Sequence, residues 1–457
     1  MKSNKVAQNY SEKASELLAV GKNSDALKNC NNCLRFATAE SAESLKAMAA
    51  REKVYTKFGS LKASVDNLCS SVDSLEDLKE DFFKLSHPPN PKIPFIADCL
   101  EVKENDVYGR FIATKKDLLP GDVVIMEEPF YKIISPSEKN SRCSVCLKQN
   151  SLNLISCEKC SAALFCSKKC AASKIHEYEC GKIEEHFEKA LLQRMFYQSI
   201  QICGDLSGLE KLMNNHDPKK TIMNFDLNDP DNNNNLKNRM LATMTLAERE
   251  PWSSEAYAKY ELVTRELEQT KTEDERHFLR KYLVHCMKSM TVNFFHFFWS
   301  SEENSPGKGY AICSLAAYFA HSCDPNIDKI DVDNKFVFVT RRPIKAGEQL
   351  SICYDRYNYL THSLSDRKEY FNRVYTFDCL CVACAKNYPL LKDMSRLDDN
   401  FIEPKVNLNS FDDMKQQYNE NCKYISDNIT NYPSYEICIL MNQNNRLLYA
   451  MGNLLPF

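Results

Sequence analysis

Apolar residues in roughly the first 85 positions recur at three- and four-residue steps, with few Gly and no Pro before Pro88, which predicts helices throughout. Two stretches echo each other. Residues 14–27 (ASELLAVGKNSDAL) and 53–65 (KVYTKFGSLKASV) each place an apolar helix, then a Gly (Gly21, Gly59), then a second helix opening with a small residue (Ala26, Ala63). The 38-residue separation of the two Gly is near the 34 of a tetratricopeptide (TPR) array, although any pair of helical hairpins would give a similar pattern. The His87-Pro88-Pro89-Asn90-Pro91 run reads as a stiff linker, because Pro fixes the backbone and removes donors. Short β-like runs follow: FIADCLEV, GRFIAT and DVVIMEEPFYKII, between residues 95 and 134. Residues 143–180 concentrate Cys. Helical periodicity returns over 182–290, interrupted by an Asn/Asp-rich stretch at 224–238 that reads as a mobile loop. Strand-like runs resume between Tyr310 and Tyr354 (KFVFVT, QLSICY), and the chain after Ala385 is helical again. The class predicted is α+β: a β-rich unit split by a Cys module and a helical insert, with helical flanks.

Composition narrows the function. The chain has 457 residues, enough for two to four domains. With 59 Lys plus Arg against 62 Asp plus Glu, it has no basic excess to neutralise phosphates, which argues against sequence-specific nucleic-acid binding. No run approaches 18 uninterrupted apolar residues, and the opening MKSNKVAQNYSEK has no apolar signal region. An intracellular chain is the expectation. There, 21 Cys point to metal or redox chemistry rather than disulfides.

Eight soft ligands fall in 38 residues: Cys143, Cys146, Cys157, Cys160, Cys166, Cys170, His176 and Cys180. Each Cys-x-x-Cys pair can wrap an ion from a tight turn, and the later pairs sit at one-turn helical spacing. Two tetrahedral zinc sites follow, with interleaved pairing: Cys143, Cys146, Cys166 and Cys170 on one ion, and Cys157, Cys160, His176 and Cys180 on the other. Closed thiolate-rich sites are structural. The run CSVC…CEKC…CSKKC…HEYEC resembles a MYND zinc finger. That resemblance implies either a docking module for proline-rich peptides, which are preformed for binding, or a purely structural staple.

A second cysteine signal lies downstream. Cys379, Cys381 and Cys384 leave a tetrahedral zinc one ligand short, and Cys323 in the His321-Ser-Cys-Asp-Pro-Asn326 turn is the natural fourth. With GEQLSICYD and YTFDCLCVAC, this segment resembles the SET-domain signature and its post-SET cysteines. A SET domain interrupted by a MYND finger resembles the SET and MYND domain (SMYD) family of protein-lysine methyltransferases over about residues 95–385, and the N-terminal repeats resemble its TPR-bearing branch. The organisation implied is 1–86 TPR-like helices, 87–142 N-terminal SET part, 143–180 finger, 181–292 helical insert, 293–370 C-terminal SET core, 371–385 post-SET zinc segment and 386–457 a short helical region. The cofactors implied are S-adenosylmethionine (SAM) and three zinc ions.

By the same resemblance, Gly109 and Arg110 approach the methionine part of SAM. Asn293 bonds the cofactor, with Phe295 in the same segment, and the His321 backbone receives the adenine. Tyr354 and Tyr375 flank the methyl-transfer site as its catalytic and cofactor-binding tyrosines, with Phe377 beside them. TVNFFHFFW could equally be a buried aromatic helix or strand. Methyl transfer from a sulfonium to a neutral amine needs alignment and desolvation rather than a strong base, which suits an aromatic channel. The family usually has Asn where this chain has Ala320, a loss from the cofactor site worth about 1–3 kcal/mol. The loop YGRFIAT lacks a second Gly often found there. Residues 386–457 are shorter than the family's usual helical wall, which implies a more open cleft or an abbreviated form.

Two functions are therefore expected to compete. One is a protein-lysine methyltransferase of cytoplasm and nucleus, acting as a monomer on protein substrates. The other is a scaffold whose SET domain binds cofactor poorly, while finger and repeats recruit peptide partners such as transcriptional or chromatin regulators. No phosphate loop or dinucleotide glycine pattern is present. Cys30 and Cys33, one helical turn apart without a partner pair, read as buried thiols, as do the other Cys outside the clusters.

Overall fold

A computed structural model describes residues 2–66, 79–148, 153–182, 186–217, 219–250, 253–269, 271–298, 309–355 and 357–453. Helices α1 (Asn4–Ala19) and α2 (Asn23–Phe36) form a hairpin, followed by α3 (Ala42–Asp66). The hairpin turn holds Gly21 at φ +76°, which a Cβ disfavours. Small side chains, Ala7, Ala14, Cys30 and Cys33, fill its interior. The break expected at Gly59 is absent, and α3 runs unbroken through it. The polar Lys22-Asn23-Ser24-Asp25 run that reverses the chain after Gly21 has no counterpart after Gly59, and one interior Gly costs a helix only about 1 kcal/mol. Residues 67–78 lie outside the described ones. The proline-rich linker is docked rather than free: Ser86 N donates to Val123 O (3.0 Å) and Asn90 N to Ile96 O (2.8 Å).

Four strands precede the Cys-rich segment: β1 (Leu100–Asn105), β2 (Gly109–Thr114), β3 (Val123–Glu127) and β4 (Tyr131–Ile134). The segment itself carries β5 (Ile155–Ser156), β6 (Leu164–Phe165), α4 (Lys168–Ala171) and α5 (Lys174–Glu179). The insert is helical: α6 (Phe187–Cys203), α7 (Leu206–Asn214), α8 (Asn232–Met244), α9 (Ser254–Glu268) and α10 (Glu273–Asn293). Strands return as β7 (Phe294–Phe297), β8 (Gly309–Ile312), β9 (Ala320–His321), β10 (Ile327–Val332), β11 (Lys335–Thr340) and β12 (Ser351–Ile352). Then come α11 (Leu364–Tyr375), α12 (Val382–Ala385), α13 (Phe411–Asn428) and α14 (Tyr435–Asn453).

The sheets interleave the two halves of the β-unit. β3 is antiparallel to β11, with Glu127 opposite Phe336, and β11 pairs on its other edge with β10. β4 likewise pairs with β8, which pairs with β7. The Cys-rich segment and the helical insert are thus excursions from one continuous apolar core in which Ile125, Tyr131, Ala311, Phe336 and Phe338 meet. Among the described residues, no helix is long and apolar enough to cross a membrane.

Three local expectations need correcting. The run 95–102 becomes a strand only from Leu100, with residues before it in turns and two isolated bridges, Ile96 to Ile125 and Ala97 to Pro89. In QLSICY only Ser351–Ile352 are strand. The Asn/Asp-rich stretch 224–238 is an ordered turn and the start of α8 rather than a mobile loop. The Asp231 side chain accepts from Asn233 N (2.8 Å) and Asn234 N (3.4 Å), while Asn235 Nδ2 and Asn238 Nδ2 donate back to the carbonyls of Leu227 (2.6 Å) and Asp226 (2.8 Å). Side chains that compete with helix interiors are good caps, and here they tie the turn to the helix.

Candidate active site and metal centres

Three quartets of ligand atoms converge: Cys143, Cys146, Cys166 and Cys170; Cys157, Cys160, His176 and Cys180; and Cys323, Cys379, Cys381 and Cys384. Within each quartet all four atoms lie within 4.8 Å of one another. Local structure explains the grouping. Leu147 N donates to Cys143 O (3.0 Å), closing the first turn. Ser167 caps α4, which carries Cys170, and Ser173 caps α5, which carries His176. The sulfur separations are 3.5 Å (Cys146–Cys166), 3.7 Å (Cys166–Cys170), 3.8 Å (Cys157–Cys180), 3.8 Å (Cys323–Cys379) and 3.5 Å (Cys384–Cys323). A disulfide would need about 2.0 Å. The edge of a tetrahedron with 2.3 Å metal–sulfur bonds is about 3.8 Å, so the donor sets fit a tetrahedral thiophilic ion such as zinc. A hydrogen bond from Cys146 lowers the Cys143 thiol, and the same bond raises Cys146, so the pair shares one proton that an arriving metal would displace. In the third quartet, the buried Arg367 donates from Nη2 to Cys384 Sγ (3.7 Å) and from Nη1 to His362 O (2.6 Å), placing a positive charge beside four thiols.

The third quartet adjoins an aromatic cluster. β9 and β12 run parallel, with Ala320 opposite Ser351 and His321 opposite Ile352. Tyr354 N donates to His321 Nδ1 (3.2 Å), so the proton on His321 resides at Nε2, 3.4 Å from Cys323 Sγ. Burial lowers His321 to about 4, which keeps the ring neutral. Around it stand Phe371 (centroids 3.9 Å apart), Tyr354 (5.3 Å) and Phe377 (5.8 Å), and Tyr375 lies 5.4 Å from Tyr354. Tyr354 is 39% exposed, yet its hydroxyl turns inward and donates to Phe319 O (2.8 Å). Burial pushes that phenol up to about 12. Tyr375 Oη donates to Asp355 Oδ2 (2.7 Å), as does Tyr370 Oη (2.9 Å). Burial, then the carboxylate, hold Tyr375 well above the ordinary phenol range.

The other residues singled out in the sequence take the following places. Gly109 opens β2 at φ +62° with open space where a Cβ would go. The Arg110 guanidinium lies 5.2 Å over the Tyr318 ring, and its Nη2 donates to Thr245 O (2.7 Å). Asn293, buried at the end of α10, donates from Nδ2 to Ala247 O and Ser289 O, both at 2.7 Å. Phe295 packs on Phe336 of β11 (5.7 Å), in the sheet core and apart from the ring cluster. The segment leading into β9 is shaped by Glu127, a buried carboxylate on β3. It accepts from Ser314 N (2.6 Å), Ser314 Oγ (2.8 Å), Leu315 N (3.1 Å) and Ala316 N (2.9 Å). Sequence reasoning missed Glu127, Asp355 and Tyr370. No spacing signal marks the first, while the other two stand beside motif tyrosines without a pattern of their own.

A SET-domain family model matches residues 109–355, more than half of the chain. The chain belongs to the SET-domain family. Its relatives include SET and MYND domain-containing proteins. It is 24% identical over 329 residues to SET and MYND domain-containing protein DDB_G0273589 of Dictyostelium discoideum, covering 62% of this chain and 81% of that one. It is 23% identical over 294 residues to histone-lysine N-methyltransferase ASHR1 of Arabidopsis thaliana, covering 64% and 56%. It is 24% identical over 280 residues to histone-lysine N-methyltransferase SMYD3 of Mus musculus, covering 60% and 59%. The chain thus spans less than two thirds of the length of the last two. A solved SET domain of LSMT bound to lysine and AdoHcy overlaps 84% of this chain and 90% of its own at 10% identity and a TM-score of 0.29, too loose to carry a residue correspondence.

Proposed function

We propose that the chain is a SAM-dependent protein-lysine N-methyltransferase. The observation that carries this reading is the packing of Tyr354 and Phe377 around His321, with Tyr375 against Tyr354, beside the β9–β12 pairing. Two relatives named as histone-lysine N-methyltransferases support it. When bound, SAM supplies a methyl group on a sulfonium sulfur. The aromatic faces favour a cation and keep water from a lysine stem. The two phenols stay protonated, so they orient groups rather than abstract a proton. Asp355 fixes the Tyr375 hydroxyl and Phe319 O fixes that of Tyr354, which gives the alignment that an in-line transfer to a neutral amine depends on. Gly109, Arg110, Asn293, the His321 backbone and Phe377 line the cofactor side in this reading.

Each cysteine quartet holds one structural zinc, three in all, as the tetrahedral spacing supports. The finger docks a proline-rich peptide, and the α1–α2 hairpin supports an affinity with the TPR-bearing branch, whose type is SET and MYND domain-containing protein 4. The protein acts as a monomer in cytoplasm and nucleus on protein substrates. A second reading, a scaffold with a disabled SET domain, is favoured by one observation: at Ala320 no side-chain amide is available to a cofactor.

The test is calorimetric titration of SAM into the zinc-loaded chain beside Ala320→Asn, followed by methyl transfer from labelled SAM to core histones. Micromolar binding with transfer supports the enzyme. Binding only in Ala320→Asn supports the scaffold. Absence of binding in both refutes the methyltransferase reading.

A further inference from the structure

The connector between α8 and α9, residues 245–249 (TLAER), meets candidate site residues that are far apart in sequence. Arg110 Nη2 donates to Thr245 O (2.7 Å), and Asn293 Nδ2 donates to Ala247 O (2.7 Å). Arg249 Nη1 donates to Tyr375 O (2.8 Å), and its Nη2 donates to Val374 O (3.2 Å). Thr245 Oγ1 also shares a 3.0 Å hydrogen bond with Tyr318 Oη, one residue before the carbonyl that receives Tyr354. The connector is itself anchored, since Arg249 N donates to Lys288 O of α10 (3.2 Å).

The Arg249 contact is chemically matched. The last carbonyls of a helix lack internal partners and sit at its negative end, where a guanidinium offers two donors in a fixed fork. Here the fork meets two successive carbonyls at the end of α11. Just beyond, Thr376 turns left-handed at φ +58°, a conformation unfavourable for a β-branched residue. The chain therefore reverses at the residue that follows Tyr375, and Arg249 Nη1 reaches Thr376 Oγ1 as well (3.4 Å). Tyr375 is held at both ends, its hydroxyl by Asp355 and its backbone by Arg249.

We propose that Arg249 is a positioning residue for Tyr375, and that the 245–249 connector is part of the methyl-transfer site rather than a surface loop of the insert. The inference rests on the methyltransferase reading above. It also gives the insert a role: it closes the site by joining the N-terminal SET strand, the end of α10 and the post-SET segment.

The test compares the zinc-loaded full chain with Arg249→Ala and Arg249→Lys, using labelled SAM and core histones. Arg249 is half-buried on a connector, so neither change removes core packing. In Arg249→Ala, kcat should fall about tenfold to a hundredfold, as expected for lost charge-assisted hydrogen bonds. The SAM Kd should stay within about threefold, and zinc content should match the parent. Arg249→Lys, which keeps the charge and a donor, should recover part of the loss. Amide hydrogen exchange over 374–378 should quicken in Arg249→Ala. An unchanged kcat in Arg249→Ala, or parallel losses in kcat and SAM affinity, overturns the inference. If the parent chain binds no SAM, the methyltransferase reading fails separately, and unchanged exchange over 374–378 would then dispose of the Arg249 clamp on its own.

Discussion

Glu127→Gln removes one formal charge and almost no volume, so it isolates what the buried carboxylate does. One oxygen of Glu127 receives Ser314 N, Ser314 Oγ and Leu315 N, and the other receives Ala316 N and, at 3.3 Å, Leu315 N as well. An amide can keep only one of these oxygens. If its oxygen stays with Ser314, its NH2 confronts the Ala316 N–H, leaving a buried donor without an acceptor at about 1–3 kcal/mol. Loss of the charge weakens the bonds that remain, since hydrogen bonds to ionised groups are worth about twice neutral ones. The sum is about 2–4 kcal/mol, concentrated on residues 314–316. Native-state hydrogen exchange reads this directly. Amides in a peptide covering 312–320 should exchange about 30-fold to 700-fold faster, at tenfold per 1.4 kcal/mol, while those of the α1–α2 hairpin stay unchanged. Because the 314–316 turn leads to Phe319 O, the acceptor of Tyr354, methyl transfer should fall in parallel. Parent-like protection over 312–320 would refute the reasoning, since Ala316 N is held by the Glu127 carboxylate.

Other outcomes follow from the same geometry. Tyr375→Phe should abolish methyl transfer with little change in SAM affinity by calorimetry, and unchanged turnover would remove this hydroxyl from the mechanism. Cys157→Ser should lower metal content from three zinc ions per chain to two and unfold the finger while sparing SAM binding, and content still at three would overturn the ligand assignment. Tyr354 is neutral in the folded protein up to about 12, against an ordinary 10, so its contribution to stability is complete below pH 10 and lost as pH rises from there towards about 12. The rate should accordingly climb with lysine deprotonation between about pH 7 and 10 without a descending limb from Tyr354. A descending limb near about pH 9 that disappears in Tyr354→Phe would contradict this.

The convergence of the ligand quartets was legible because much of their geometry is local: two-residue spacers fix a turn, three-residue spacers fix one helical turn, and a tetrahedral ligand count groups the pairs. Cys323 could be matched to its triplet for the same reason, through a missing fourth ligand. The tyrosines were legible only through motifs, since an aromatic beside a strand is otherwise core. What joins them was not. Asp355 binds two phenols contributed by α11, and Arg249 reaches Tyr375 across 126 residues of chain. Such pairings depend on where the insert lands, which no periodicity encodes. Gly59 and the Asn-rich stretch misled for a related reason. Breakers and caps are the same residue types, and only their neighbours decide between ending a helix and starting one.

The pairing of β3 with β11 also sets an order of events during synthesis. Glu127 and Phe336 are about 200 residues apart, so at about 5–20 residues per second the ribosome releases the second strand some 10–40 s after the first. β3 must wait that long with this edge unpaired. The finger need not wait, because all eight of its ligands have emerged by Cys180. A nascent chain stalled before residue 336 should therefore carry a closed, zinc-loaded finger while β3 still lacks its partner, and cellular zinc supply would bear on yield well before it bears on activity.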